Sequence, residues 1–304
     1  MMKPNKLKVG DKLAVIAPAS PYAHDDYDRI KANIQALGFE AELLPTCFLS
    51  HGHFAGSDDE RLRDLHEAFE NQAYKGIICL KGGYGTPRLL EKLDMDLIKS
   101  NFKPFIGYSD ITALHVAFNN IGLVTFHGPM ASSKLEDDYT LDHMKKVLLD
   151  DKPLCIENPQ DEQIKVLVEG KCQGKIVGGN LSLLASTLGS PYEIDTRGKI
   201  LFIEEINEPI YVIDRMLTSL NLAGKFRDCV GVILGTFTGC VSDKDKEDLR
   251  FDQVIEEIII PYKKPTIINL RAGHNFPQPT IPFNVMATLD TKMTKLTFEE
   301  GATV

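Results

Sequence analysis

The sequence has no tryptophan, only 8% aromatic residues and no long apolar run in its 304 residues. No stretch approaches the roughly 18 apolar residues that a membrane-spanning helix needs. The amino-terminal segment also lacks the apolar core of a secretory signal peptide. We therefore expect a soluble, cytoplasmic protein that does not act at a membrane.

Basic residues are also fewer than acidic ones. Lysine and arginine number 34 against 43 aspartates and glutamates, so the formal net charge is -9. Because nucleic-acid binding depends on clustered basic side chains that contact phosphates, this balance argues against a nucleic-acid partner. A small molecule or a peptide is the expected substrate.

The cysteines show no C-x-x-C spacing, and a chain with 43% hydrophobic residues can bury a core without disulfides. We expect reduced thiols. His51 and His53 form an H-x-H pair, but no third metal ligand is evident nearby. The sequence therefore predicts neither a metal ion nor a cofactor.

Strand and helix patterns alternate over residues 1–150. Buried-type strands are predicted at 13–17, 41–44, 76–80 and 104–107, and helices at 25–37, 58–72, from about Pro87, and after residue 110. This alternation is typical of a parallel sheet covered by helices, which places the first domain in the α/β class.

The pattern changes after residue 150. Residues 151–165 are polar, contain two prolines and lack periodicity, so we interpret them as a linker. Residues 166–304 contain short strand patterns with helices between them. We expect a second, α+β domain there, whose strand order the sequence does not give.

Ser109 is the first candidate for chemistry. It lies in G-Y-S-D-I-T-A-L-H, between a predicted strand and a predicted helix. A serine at such a turn resembles a nucleophile elbow, and the backbone N–H of Asp110 could stabilise an oxyanion there. The G-x-S-x-G pattern is incomplete, because Ile111 replaces the second glycine. The alternative is that Ser109 or Asp110 caps the helix.

His274 is the candidate general base, since histidine titrates closest to neutral pH. It lies in the glycine- and proline-punctuated segment R-A-G-H-N-F-P-Q-P-T. A purely structural loop histidine is the alternative. Of the others, His24, His66 and His143 lie on polar helical patterns and are predicted to be solvated, His115 is predicted to pack in its helix, and the role of His127 stays open.

A serine–histidine pair needs a carboxylate that orients the imidazole. Glu204 and Glu205 directly follow the apolar run 201–203. Alternation along the strand does not decide which of them faces inward, and both could be solvated loop residues.

A glycine-rich turn, K-G-G-Y-G-T-P-R, follows the third predicted strand. It lacks the spacing of a dinucleotide or P-loop motif, so a nucleotide site is not predicted. Gly82 or Gly83 could instead bring a second backbone N–H to an oxyanion.

In combination, these segments resemble the LD-carboxypeptidase family of serine peptidases. The resemblance covers nearly the whole chain. It includes V-I-A-P-A-S-P, K-G-G-Y-G-T-P-R-L-L, G-Y-S-D-I-T-A-L-H, H-G-P-M, G-G-N-L-S-L-L, E-E-I-N-E-P-I-Y-V-I-D-R-M-L and A-G-H-N-F. It implies a flavodoxin-like amino-terminal domain and a smaller carboxy-terminal domain, with a catalytic site completed across the cleft between them.

The resemblance also implies roles for particular residues. Ser109 matches the family's nucleophile, Glu204 its triad acid and His274 its base, and Gly83 and Asp110 match the oxyanion amides. The segment after His274 departs from the family pattern, since this chain reads G-H-N-F-P-Q-P-T-I-P-F-N. That departure leaves the base in place but could alter specificity.

The implied reaction is hydrolysis of the amide between an L-centre and the terminal D-Ala of a murein tetrapeptide, during cell-wall recycling, by a homodimer without a metal. Arg88 and Arg215 are candidates for binding the terminal carboxylate. Three alternatives remain: a microcin C-type immunity peptidase that cleaves aminoacyl-nucleotides, a non-catalytic muropeptide-binding protein, and an ordinary α/β-hydrolase esterase.

Overall fold

The computed structural model describes residues 1–159, 162–242 and 249–304. The strands in this part of the chain are β1 (Lys12–Ile16), β2 (Glu40–Leu43), β3 (Gly76–Cys79), β4 (Phe105–Gly107), β5 (Thr125–His127), β6 (Leu154–Ile156), β7 (Lys165–Val168), β8 (Lys171–Asn180), β9 (Ile200–Ile206), β10 (Gly231–Thr238), β11 (Thr266–Ile268), β12 (Ile281–Phe283), β13 (Met286–Asp290) and β14 (Lys295–Phe298).

The α-helices in the same part of the chain are α1 (Tyr27–Ala36), α2 (Asp58–Glu70), α3 (Met95–Ser100), α4 (Thr112–Asn120), α5 (Asp138–Leu149), α6 (Leu181–Ser186), α7 (Ile210–Leu222), α8 (Lys225–Asp228) and α9 (Phe251–Ile258). The helix predicted from about Pro87 is a 3₁₀ helix, Thr86–Lys92. It stays short because Asp94 then caps the separate helix α3 by accepting a hydrogen bond from the Leu97 N–H at 2.9 Å. None of the described helices has the length and apolar character needed to cross a membrane.

The first sheet, over the described residues, has six strands in the order β12-β5-β4-β3-β1-β2. Strands β1 to β5 are parallel, and β12 adds to β5 in the antiparallel direction. The parallel order 2-1-3-4-5 is that of the flavodoxin-like fold. Strand β3 is buried along its whole length, as expected for a sheet covered on both faces.

The second sheet, again over the described residues, has eight strands in the order β6-β14-β13-β8-β9-β10-β11-β7. Strands β8 to β11 are parallel. The pairs β8–β13, β13–β14, β14–β6 and β11–β7 are each antiparallel. The predicted fold class, a flavodoxin-like parallel-sheet unit joined to a second unit of strands and helices, is confirmed. The second sheet has more strands than the first.

Two strands cross the boundaries drawn from the sequence. Strand β6 lies inside residues 151–165, the predicted linker, and pairs with β14. Strand β12 belongs to the carboxy-terminal part of the chain but pairs with β5 of the first sheet. Such pairings are non-local, so local composition does not reveal them. The domain boundaries themselves stay a prediction.

The two sheets come together where β8 approaches helix α4. The Asn180 N–H donates to the Thr112 Oγ1 at 3.0 Å. A side chain on Gly179 would begin only 2.4 Å from that oxygen, so the approach requires glycine. This contact brings the end of β4, where Ser109 lies, next to the ends of β8 and β9.

Candidate active site

Ser109 lies in a sharp turn between β4 and α4. It has a positive φ of 65°, which is uncommon for a residue other than glycine. The residues Ser109–Ile111 form a 3₁₀ turn that leads directly into α4. A strained strand-to-helix turn of this kind lifts the serine hydroxyl above the edge of the sheet.

Neighbouring glycines let the backbone pack against this serine. A Cβ on Gly82 would lie 2.8 Å from the Ser109 Cβ, 3.0 Å from its Oγ and 3.4 Å from the Asp110 nitrogen. Gly83 packs instead on Ser20, with a Cβ position 2.3 Å from the Ser20 Oγ. The glycine-rich turn therefore borders both the serine and the amide that follows it.

His274 lies in the segment between β11 and β12 and reaches across to the first sheet. Its Nε2 is 2.9 Å from the Ser109 Oγ. Its Nδ1 is 2.7 Å from the Glu204 Oε2. The structure thus brings the three predicted residues into one hydrogen-bonded chain, although residues 109 and 274 are distant in sequence.

The loop that carries His274 is held by close packing and a hydrogen bond. Gly273 has a φ of 125°, and a Cβ there would lie 2.7 Å from the Glu204 Oε2. The Thr236 hydroxyl, at the end of β10, donates to the Asn275 Oδ1 at 2.9 Å. A larger residue at 273 would push the acid and the imidazole apart.

Glu204 and Glu205 have different partners, although both are buried. Glu204 is fully buried and faces His274. Glu205 accepts hydrogen bonds from the Asn180 Nδ2 at 2.7 Å and from the Ser182 N–H at 2.8 Å. Successive strand residues point to opposite faces, so only Glu204 can orient the imidazole.

Burial is the main influence on the Glu204 carboxyl. Desolvation raises the pKa of Glu204, and the hydrogen bond and charge of His274 oppose that rise. A buried carboxylate beside an imidazole stabilises the protonated form of the ring, because their attraction is weakly screened there. The arrangement can therefore support proton transfer from the Ser109 hydroxyl to the ring.

Asp110 does not cap helix α4. The first residue outside that helix is Ile111, and it makes no side-chain capping hydrogen bond. The Asp110 carboxylate instead accepts a hydrogen bond from the Thr86 N–H at 2.8 Å. The capping alternative from the sequence is wrong for Asp110, since its side chain turns towards the glycine-rich turn.

Comparison with known proteins identifies the family of the chain. The LD-carboxypeptidase N-terminal domain matches residues 13–128, and the LD-carboxypeptidase C-terminal domain matches residues 173–289. The chain belongs to the LD-carboxypeptidase family. The family predicted from the sequence segments is confirmed.

Individual relatives match this chain over almost its full length. A probable murein peptide carboxypeptidase of Bacillus subtilis is 42% identical over 98% of this chain and 95% of its own length. The crystal structure of the muramoyltetrapeptide carboxypeptidase from Oxalobacter formigenes has a TM-score of 0.82 and 29% identity, and the match covers 95% of this chain and 98% of that one. The microcin C7 self immunity protein MccF has a TM-score of 0.90 with full coverage of both chains, but at 24% identity it shows a common fold alone.

The two candidate arginines are not part of the hydrogen-bonded chain. Arg88 forms a two-pronged ion pair with Asp58, with its Nη2 2.8 Å from the Asp58 Oδ2, and lies over the Phe54 ring. Arg215 is exposed on α7, where its charge acts on Glu208. Within the described residues, neither guanidinium has a hydrogen bond to Ser109, His274 or Glu204.

The remaining histidines include one incorrect prediction. His143 is buried rather than solvated, and desolvation lowers its pKa to about 4. It lies on the side of α5 that packs on the core, next to the Tyr139 ring at 4.4 Å. His115 is buried in α4 as predicted. His51 and His53 are both exposed, and the described residues contain no cluster of three metal-ligating side chains.

Sequence reasoning missed Tyr108 as a neighbour of the candidate base, and it left the role of His127 open. The Tyr108 ring packs edge-on against the His274 ring, with centroids 5.0 Å apart. The buried His127 ring lies 6.0 Å from that of Tyr108. The sequence did offer a signal for Tyr108, because it directly precedes Ser109. A residue next to the nucleophile is expected to lie close to the groups that surround the nucleophile.

Proposed function

We propose that this chain is a serine LD-carboxypeptidase that hydrolyses the amide bond between an L-centre and the terminal D-Ala of murein tetrapeptides. In this proposal Ser109 is the nucleophile, His274 the general base and Glu204 the acid that orients it. The observation that carries it is the hydrogen-bonded chain from the Ser109 Oγ through His274 to the Glu204 Oε2, at 2.9 and 2.7 Å.

The first half of the reaction forms an acyl-enzyme. His274 Nε2 takes the proton of the Ser109 hydroxyl as the Oγ attacks the peptide carbonyl. The negative charge that develops on the carbonyl oxygen is stabilised by the backbone N–H groups of Asp110 and Gly83. His274 then protonates the leaving nitrogen, and D-Ala departs.

The second half releases the shortened peptide. Water, deprotonated by His274, attacks the acyl carbon, and the Ser109 oxygen regains its proton as it leaves. Throughout both halves, Glu204 fixes the tautomer of the imidazole and stabilises its charged form.

Arg88 and Arg215 remain the proposed partners of the substrate's terminal carboxylate. Since Arg88 already pairs with Asp58, an incoming carboxylate would share that cation.

The test is a direct measurement of D-Ala release. The purified protein is incubated with defined tetrapeptides that carry diaminopimelate or Lys at the third position, and the products are identified by mass. Ser109→Ala should reduce kcat by roughly 10⁴-fold or more. Ser186→Ala, at an exposed position of α6, is the matched control and should retain full activity. Release of D-Ala that is indifferent to Ser109→Ala would refute the proposal.

The same experiment separates the rival functions. An aminoacyl-sulfamoyl-adenosine tests the microcin immunity activity suggested by the fold of MccF. The higher identity to a murein peptide carboxypeptidase supports the tetrapeptide as the preferred substrate. Tetrapeptide binding without turnover would instead favour a muropeptide-binding protein.

We further propose that the enzyme acts in the cytoplasm as a homodimer, as the family resemblance suggests. Light scattering coupled to size-exclusion chromatography tests the dimer, and a mass near that of one 33.9 kDa chain would contradict it. Fractionation of the producing cells tests the compartment.

A further inference from the structure

The Asp110 side chain connects the serine turn to the glycine-rich turn. Its Oδ2 accepts a hydrogen bond from the Thr86 N–H at 2.8 Å, and the backbone of Gly85 also hydrogen-bonds to this carboxylate. The Thr86 hydroxyl donates in return to the Asp110 backbone oxygen. Two adjacent residues of one turn are thus bonded to the single residue that follows the nucleophile.

The glycine-rich turn has a second anchor at its other end. The Ser20 Oγ, in the loop after β1, accepts a hydrogen bond from the Tyr84 N–H at 3.0 Å. The Ser20 N–H donates to the Gly82 oxygen at 3.4 Å. Gly82, which belongs to the Ser20 anchor, also packs its backbone directly on the Ser109 side chain. The anchors therefore determine how far the turn stands from the nucleophile.

Asp110 is 1% exposed, so the interactions of its carboxyl group are weakly screened by water. Burial raises the pKa of Asp110, and the hydrogen bonds from Thr86 and Gly85 together with the charge of Arg61 oppose that rise. The Arg61 side chain is itself fully buried and donates to the Pro18 oxygen at 2.6 Å. Burying an acid and a cation costs folding free energy, even when the acid has two backbone donors. We therefore expect this buried carboxyl group to serve a function.

We propose that the Asp110 side chain is a positioning residue for the oxyanion site. It holds the glycine-rich turn at a fixed distance from Ser109, so that the amides of Gly83 and Asp110 converge on one oxygen. This role is separate from that of the Asp110 backbone N–H, and it rests on the proposed function of Ser109. Asp110 itself does not touch the substrate.

The expected effect follows from the geometry that an oxyanion requires. Stabilising donors act only within about 2.7–3.1 Å of the developing charge, and a shift of about 1 Å can cost about 10²-fold in rate. Asp110→Asn keeps the shape of the side chain but replaces one acceptor oxygen with an NH₂ group, which would face the Gly85 or the Thr86 N–H. The turn should then move away from the serine.

The test uses a fluorophosphonate, which reacts with an activated serine whatever its natural substrate. The Ser109 Oγ forms a bond to phosphorus, fluoride leaves, the serine proton passes to His274, and the phosphoryl oxygen occupies the oxyanion site. The rate is followed by the mass of the intact protein. Asp110→Asn should slow the reaction by about 10- to 100-fold. Asp94→Asn, the matched control at the cap of α3, should leave it unchanged.

A second pair of variants covers the case in which Asp110→Asn fails to fold. Thr86→Val removes the hydroxyl that donates to the Asp110 backbone oxygen and also hydrogen-bonds to the Asp110 carboxylate, so it should slow labelling on the order of 10-fold. Thr86→Ser retains the hydroxyl and should restore the wild-type rate. Equal rates for these two variants would overturn the proposal.

Peptide binding distinguishes positioning from general damage. In a Ser109→Ala background, Asp110→Asn should leave the Kd for the tetrapeptide nearly unchanged, because the oxyanion donors stabilise the charge of the transition state far more than the neutral carbonyl of the bound peptide. Equal losses of binding and labelling would assign Asp110 a merely structural role and refute the inference. A wild-type protein that neither releases D-Ala nor reacts with the probe would refute the proposed function itself. A reactive wild type whose Asp110→Asn variant reacts equally fast would refute only the role of Asp110.

Discussion

The two sides of the candidate active site are built by different means. On the side of the first sheet, Ser109 is held by backbone geometry, with a φ of 65° and Gly82 packed on its side chain. On the side of the second sheet, Glu204 and His274 are held by hydrogen bonds and by their loop, with Glu205, Asn180 and Thr236 as neighbours. The nucleophile depends mainly on the shape of the chain, whereas the acid and base depend on particular polar partners in addition to the close approach of Gly273.

This difference predicts which substitutions each side tolerates. Small changes in volume should be most damaging beside the serine, since a close backbone contact cannot absorb an added atom. Changes in polar character at constant volume should be most damaging beside the imidazole, where charge and hydrogen bonding do the positioning.

The largest expected effect is that of Glu204→Gln, on the polar side. The amide has nearly the shape of the acid but carries no charge and can favour the wrong tautomer of His274, so kcat should fall by about 10⁴-fold. Steady-state kinetics of D-Ala release measures this loss. Glu205→Gln is the matched control and should cost activity about tenfold or less, while it lowers the free energy of unfolding by about 1–3 kcal/mol. Equal losses of kcat in both variants would contradict the assignment of Glu204.

A smaller loss is expected from Gly82→Ala, on the backbone side. The added methyl group would lie 2.8 Å from the Ser109 Cβ, so the serine or the turn must shift, and kcat should fall by about 10²-fold. Gly189→Ala is the control, because it adds strain at a φ of 78° where the added methyl group contacts no other residue. It should lower stability without lowering kcat. Full activity of Gly82→Ala would show that the backbone contact does not position the nucleophile.

The last prediction concerns stability in acid rather than catalysis, and it distinguishes the two halves of the chain. All histidines except His274 lie in the first 150 residues, and His143 is buried there with its pKa lowered to about 4. The unfolded chain binds a proton at this histidine below about pH 6.5, whereas the folded chain does not until about pH 4, so stability falls as the pH decreases through this window.

The variant His143→Phe should remove that contribution, which is roughly 3 kcal/mol across the window. Urea unfolding at pH 7, 6, 5 and 4.5 measures the slope of the free energy of unfolding against pH. His24→Phe, at an exposed position, should leave the slope unchanged. An unchanged slope in His143→Phe would mean that this histidine is protonated in the folded protein.

Local patterns in the sequence predicted four strands of the first sheet well. The strands β1 to β4 fall within about a residue of their predicted positions, because each is a short apolar run ended by glycine, proline or a polar residue. The very short β5, the edge strand β12 and β6 were not predicted. Strands of three residues carry too little periodicity, and their partners lie far away in sequence.

The choice between Glu204 and Glu205 shows where local reasoning ends. Both side chains are buried, because β9 is a central strand covered on both faces, so polarity does not separate them. The loop that carries His274, 70 residues later in the chain, lies against one face of β9. Only its position identifies Glu204 as the acid that meets the imidazole. The error at His143 has the same origin, since the polar residues around it concealed which side of α5 packs on the core.

The pairing of β12 with the first sheet gives the carboxy-terminal segment a structural role in addition to carrying His274. The chain leaves the second sheet at β11, carries His274 over the serine, and then pairs with β5. A fragment ending near residue 150 would lack this strand and leave the backbone groups of β5 open to other chains. We therefore expect the isolated amino-terminal piece to aggregate, and a circular permutant that opens the chain between residues 268 and 281 to lose its histidine anchor. Assembly of the triad therefore depends on a continuous chain between β11 of the second sheet and β12 of the first.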